Sequence, residues 1–145
     1  MATQPEVISF AGGLPAPELF ADLHTSTFAQ HVVYRYLLDN RTDEHIARIR
    51  AAYGQRYAAM EEALRVEMPA GFSWIHPEGG MFLWVTGPEG LDTEKILPAA
   101  IERRVAFVPG RDFFPDRRGG NCMRLNFSNA APGRIREGIA RLVGL

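Results

Sequence analysis

Apolar residues recur at helical spacing through Phe28, Val32, Val33, Tyr36 and Leu37, and this predicts a helix beginning near Asp22 and ending at Asn40. A second stripe, Ile46, Ile49, Tyr53, Tyr57, Met60 and Leu64, advances three or four residues at a time. It predicts a helix from Asp43 to Met68, with Arg48, Arg50, Gln55, Glu61, Glu62 and Arg65 on the opposite face and Pro69 and Gly71 ending it. The pattern then shortens. Phe72 to His76 and the strongly apolar Gly80 to Thr86 read as strands, joined by a turn at Pro77-Glu78-Gly79-Gly80. Asp92 or Thr93 caps a helix from Glu94 to Arg104, with Ile96, Leu97, Ala100 and Ile101 on its apolar side and Pro98 inside it. Val105 to Val108 is a third strand, stopped by Pro109-Gly110, and Met123 to Ser128 is a fourth. Pro132, at a favoured first helical position, opens the last helix, whose buried stripe is Ile135, Ile139 and Leu142.

From Asp22 the order is α-α-β-β-α-β-β-α. Short strands with helices between them imply an α/β fold of the two-layer α+β sandwich kind, with a small antiparallel-rich sheet covered by helices on one face. The stretch ahead of it, PEVISFAGGLPAPELF, runs from a short apolar segment into Gly12-Gly13 and then Pro15 and Pro17. Glycine admits backbone angles that other residues avoid and proline stops regular structure, so this is an extended arm and a turn without a core of its own. The expected organisation is an arm over residues 1–21 and one folded domain over 22–145.

Composition narrows the function by exclusion. A chain of 145 residues fits one domain plus an arm. A formal net charge of −1 gives no basic surface for nucleic acid. No apolar run approaches the roughly 18 residues of a membrane span, and residues 1–7 lack the basic start and apolar core of a secretory signal, so a cytoplasmic location is expected. The single cysteine, Cys122, excludes an intrachain disulfide and has no base identifiable beside it in the sequence. The histidines, His24, His31, His45 and His76, do not pair at the spacing of a helical metal site, so no metal is expected. Lys95 is the only lysine.

Arg124 lies within an apolar strand, MRLNF. Alternation puts Met123, Leu125 and Phe127 on one face and Arg124 with Asn126 on the other. Two readings stand at this point. An arginine so placed faces solvent or a surface acid, or it recognises an anion, since a guanidinium fork matches a carboxylate with two parallel hydrogen bonds.

Five segments together resemble the fold-type I pyridoxal-phosphate (PLP) aminotransferases of class I/II, and most of all the subgroup of 2-aminoadipate and kynurenine aminotransferases. That subgroup also includes aminotransferase-like regulators, and the segments are ISFAGGLPAPELF (Ile8 to Phe20), DLHTSTFAQ (Asp22 to Gln30), HPEGGMFLWV (His76 to Val85), VAFVPGRDFF (Val105 to Phe114) and MRLNFSNA (Met123 to Ala130). They occur in the family's order and span nearly the whole chain. The resemblance implies that the arm and the C-terminal part form the small domain of such an enzyme. It implies that Arg124 binds the substrate α-carboxylate and that Gly12 and Gly13 bring backbone close to the substrate. The segment at His24, Thr25, Ser26 and Thr27 resembles one near the dimer interface and the cofactor's surroundings. The partners implied are an amino acid and a 2-oxo acid, with 2-aminoadipate, aromatic or branched side chains left unranked.

The departures from the family matter as much. There, the arm leads into a long central domain that carries the pyridine-nitrogen aspartate, the stacking aromatic, the phosphate-binding groups and the Schiff-base lysine. Here Phe20 is followed by Ala21-Asp22-Leu23-His24, a segment that resembles what comes after that domain. The central PLP domain is therefore expected to be absent, with an N-terminal helical arm also shortened. Lys95, beside Glu94, matches no family lysine, so the chain is expected to hold no covalent PLP and no catalytic residue. The function implied is a truncated aminotransferase fragment, inactive alone. The alternative is a free-standing amino-acid-binding or protein-docking module without catalysis. Apolar residues of the first helix that once met the missing domain would favour self-association.

Overall fold

The computed structural model describes the backbone of residues 8–9 and all of residues 26–144. The elements in order are β1 (Ile8–Ser9), α1 (Thr27–Asp39), α2 (Thr42–Glu67), β2 (Ser73–Trp74), β3 (Phe82–Thr86), α3 (Thr93–Glu102), β4 (Val105–Ala106), β5 (Val108–Pro109), a 3-10 turn (Gly110–Phe113), β6 (Cys122–Asn126) and α4 (Pro132–Val143). The chain divides into two compact units, Met1–Gly12 with Tyr53–Leu145 and Gly13–Ala52.

The first unit holds a four-stranded antiparallel sheet in the order β2-β3-β6-β5. Its longest pairing is β3 with β6, in which Leu83 stands opposite Leu125 and Val85 opposite Met123. These four side chains are buried and point to one face. Met60, Ala63 and Leu64 of α2, Ala100 of α3, and Ile135, Ile139 and Leu142 of α4 pack on that face with Val105, Phe107 and Phe127. Helices thus cover one side of a small antiparallel-rich sheet. The other side carries Phe82, Trp84 and Thr86 from β3 and Cys122, Arg124 and Asn126 from β6.

Local chemistry explains the boundaries. Asp92 caps α3 by accepting a hydrogen bond from the Glu94 amide. Pro98 lies inside α3, which continues to Glu102. Pro132 begins α4, where a missing N–H costs no helical hydrogen bond. A bend over residues 78–81 joins β2 to β3, and Gly80 turns there at φ +87°, in the left-handed region that favours glycine.

Three expectations change. The strands are shorter than the apolar runs: β2 keeps only Ser73–Trp74 and β3 begins at Phe82. The single strand expected over Val105 to Val108 is two. β4 pairs in parallel with β1, while β5 pairs antiparallel with β6, and buried Phe107 lies between them. Pro109 does not stop the strand but belongs to β5; as the sheet's outer strand, β5 tolerates a residue without an N–H.

In the second unit, no residue of α1 is buried. Phe28, Val32, Val33, Tyr36 and Leu37, the stripe that predicted the helix, are all more than half exposed.

Candidate functional site

The site grows from the centre of β6. Arg124 stands opposite Trp84 of β3 on one side and Val108 of β5 on the other, so its backbone is fixed by a ladder on both flanks. Its neighbours in sequence, Met123 and Leu125, are anchored in the core. The strand's alternation therefore presents Arg124 on the face that the helices leave uncovered.

Aromatic rings surround this guanidinium. Its Cζ lies over the Phe82 ring at 4.1 Å from the centroid and over the Phe113 ring at 4.8 Å. Such contacts attract a cation through the ring quadrupole. Trp84 meets Phe113 edge-on at 5.3 Å and Phe114 at 5.9 Å, which ties the 3-10 turn to the sheet. Burial pushes the Arg124 pKa down from its ordinary value. Its Nε is buried with no hydrogen-bond partner. Among the described residues no carboxylate forms an ion pair with it. A buried donor left unpaired is costly, and any hydrogen-bond acceptor that reaches it, a carboxylate among them, relieves that cost. No surface acid pairs with Arg124 among the described residues, and the residue is only partly buried, so solvent and an anion both have access to it.

The turn bearing Phe113 is held by charge. Arg111 reaches Asp92 at 3.1 Å and Glu94 at 3.2 Å, and Arg117 reaches Glu94 at 2.7 Å. Burial opposes ionisation of Asp92, but the Arg111 charge, with amides of Lys95 and Glu94 and the Lys95 charge, outweighs it and holds the carboxyl below the usual range. Gly110 begins the turn because a Cβ there would sit 2.5 Å from the Cys122 Cβ and 2.7 Å from the Gly119 carbonyl oxygen. Thr93, fully buried, donates to the Gly120 and Cys122 carbonyls at 3.0 and 2.8 Å and fastens α3 to the start of β6.

The other candidates divide. Gly12 and Gly13 lie outside the described residues, as do His24 and Thr25. The arm enters the description at β1, whose Ile8 and Ser9 pair with Val105 and Ala106. Lys95 is a surface lysine, its side chain 83% exposed and its amine 3.6 Å from Asp92. Cys122 is buried, and its sulfur meets Thr86 and Asn121, neither of them a base. Among the described residues no cluster of His, Cys, Asp and Glu could hold a metal, and no helix is long and apolar enough to cross a membrane. Sequence reasoning missed Phe82 and Phe113 as companions of Arg124. The alternation of FLW would have put Phe82 and Trp84 on one face, but only the β3–β6 register brings that face to Arg124.

Comparison with known proteins gives the family. The sequence profile of the family Aminotransferase class I and II matches residues 1–142. The aromatic-amino-acid aminotransferase 1 of Thermococcus litoralis is 47% identical over 121 residues, which are 83% of this chain and 29% of that protein. The 2-aminoadipate transaminase of Thermus thermophilus is 39% identical over 122 residues, 84% of this chain and 30% of that protein. Among solved structures, a multiple substrate aminotransferase from Thermococcus profundus superposes with a TM-score of 0.79 at 45% identity, covering 88% of this chain and 32% of that one. The α-aminoadipate aminotransferase of Thermus thermophilus, solved with N-(5'-phosphopyridoxyl)-L-leucine, gives 0.77 at 38% identity, covering 88% and 32%. The chain therefore spans about a third or less of the length of these relatives. A profile match over 142 of 145 residues, with a relative 47% identical over most of this chain, means that the chain belongs to the class I and II aminotransferases.

Proposed function

We propose that this chain is the substrate-gripping small domain of a PLP-dependent aminotransferase, with Arg124 binding the α-carboxylate of an amino acid or 2-oxo acid and Gly12 and Gly13 lining the same site. On this reading residues 1–21 are the arm and 22–145 the small domain, without the central cofactor-binding domain. The observation that carries the reading is the Arg124 guanidinium, set on aromatic rings and without an acid partner among the described residues. In the family, PLP supplies the electron sink for amino-group transfer. The residues described here do not fit covalent anchorage of that group. The only lysine in the sequence, Lys95, presents its amine to solvent beside Asp92 rather than inside a walled pocket.

The 145-residue chain alone is therefore inactive on this reading. The test mixes the pure chain with PLP, an amino acid and 2-oxoglutarate. The expected result is no PLP-dependent turnover and no absorbance band from a lysine-bound cofactor. Turnover that Arg124→Ala abolishes would overturn it. A cytoplasmic location and assembly as a dimer belong to the same reading, as do 2-aminoadipate, aromatic or branched substrates suggested by the relatives' names.

One observation favours a second reading, a free-standing amino-acid-binding or protein-docking module. The apolar stripe of α1 is exposed along its length, which suits docking or self-association. Calorimetry with amino acids and dicarboxylates separates the two. Sub-millimolar binding lost in Arg124→Ala supports the free-standing module.

A further inference from the structure

We propose that Phe82 and Phe113 are positioning residues for Arg124, their rings forming an aromatic seat that holds the guanidinium plane while leaving its terminal nitrogens free for a planar carboxylate. This rests on the reading of Arg124 as an anion-binding residue. Three observations carry it. The guanidinium carbon lies 4.1 Å from one ring centroid and 4.8 Å from the other, and the two rings come from different elements, β3 and the 3-10 turn. The buried Nε has no hydrogen-bond partner, and among the described residues no carboxylate pairs with the guanidinium. Phe113, although 41% exposed, is not loosely placed: Trp84 meets it edge-on, and Arg111 ties its turn to Asp92 and Glu94.

The physical logic is that an arginine needs fixing before it recognises a carboxylate by geometry. An acidic neighbour would fix it, but would occupy the hydrogen-bonding fork and cancel the charge. Ring faces fix the plane by stacking and quadrupole attraction, and they take up no donor. Burial of the group, seen in the lowered Arg124 pKa, also strengthens its attraction to an anion.

The test uses the whole 145-residue chain. Nitrogen-15 NMR of the Arg124 side chain reports rotation within the guanidinium, and acetate and 2-oxoglutarate serve as the anions. Phe82→Leu and Phe113→Leu keep apolar bulk but remove the ring face. Both are expected to speed guanidinium rotation and to weaken acetate binding roughly three- to tenfold, and Phe113→Tyr is expected to restore both. Using two elements guards against one variant failing to fold. If Arg124→Gln removes binding while both leucine variants leave rotation and affinity unchanged, the seat is overturned and the carboxylate reading survives. If Arg124→Gln leaves binding unchanged, both are overturned.

Discussion

Trp84 stands directly opposite Arg124 across the β3–β6 pair, and its indole meets the Phe113 ring edge-on at 5.3 Å. One side chain thus braces the sheet position that bears the arginine and the turn that covers it. Its second edge contact, to Phe114 at 5.9 Å, ties it to the end of the Gly110–Phe114 segment as well.

Trp84→Leu is therefore expected to cost about 2 kcal/mol. Edge-to-face ring pairs contribute roughly 0.5–1.5 kcal/mol each beyond their buried area, and the residue is only partly buried, so the loss stays below that of a core tryptophan. Urea unfolding measures it. A loss under a few tenths would show that Phe113 and Phe114 are held by the ion pairs alone.

Gly110→Ala tests the same turn from its backbone. The added Cβ would meet two backbone carbonyl oxygens, of Gly119 and Cys122, at 2.7 and 2.8 Å as well as the Cys122 Cβ. Backbone atoms cannot move aside as a flexible side chain would, so the turn must shift. The expected cost is about 1–3 kcal/mol, with a displaced Phe113 resonance. An unchanged urea midpoint would mean that β6 and the turn are not in this contact.

The ion pairs give the turn an acid limit. The Asp92 carboxyl titrates below its ordinary value in the folded chain, and a group of that kind contributes stability above its unfolded pKa that is lost as pH falls through the folded one. Stability should therefore fall below about pH 4, with the link from Asp92 to Arg111 opening. Asp92→Asn should be less stable at neutral pH, since it keeps a capping oxygen but loses the charge that pairs with Arg111 and favours the α3 N-terminus, and should flatten the pH dependence in this range. Denaturation midpoints between pH 2 and pH 7 decide it; parallel curves for the two proteins would remove Asp92 from the account.

Some of this was legible in the residues and some was not. The stripe Met60, Leu64 and the stripe Ile135, Ile139, Leu142 announced core helices because burial on one face leaves a periodic mark. Arg124 against Met123 and Leu125 was legible for the same reason at period two. The split of Val105 to Pro109 into β4 and β5 was not. Both pieces are apolar, and what separates them is a change of partner from β1 to β6, which no local pattern records. The aromatic seat was hidden likewise: Phe82 and Phe113 lie 42 and 11 residues from Arg124 in sequence, and only pairing register and the Gly110 turn bring them to it. The α1 stripe was legible as a helix but not as a packed face. Its periodicity is real, but all five of its apolar residues are exposed.

That last contrast makes a prediction of its own. Leu125, fully buried between β3 and the helices, and Val33, 55% exposed on α1, are both apolar residues at well-phased positions. Pattern alone would rank them alike; burial does not. Leu125→Ala opens a cavity that close-packed neighbours fill only in part and should cost about 2–5 kcal/mol. Val33→Ser removes no packed contact and should stay within about 0.5 kcal/mol, because serine and valine have similar helix propensity. Chemical denaturation of both variants at low protein concentration gives the comparison. A Val33→Ser loss approaching that of Leu125→Ala would mean that the α1 face is covered in solution, and a loss that grows with protein concentration would identify the cover as a second copy of the chain.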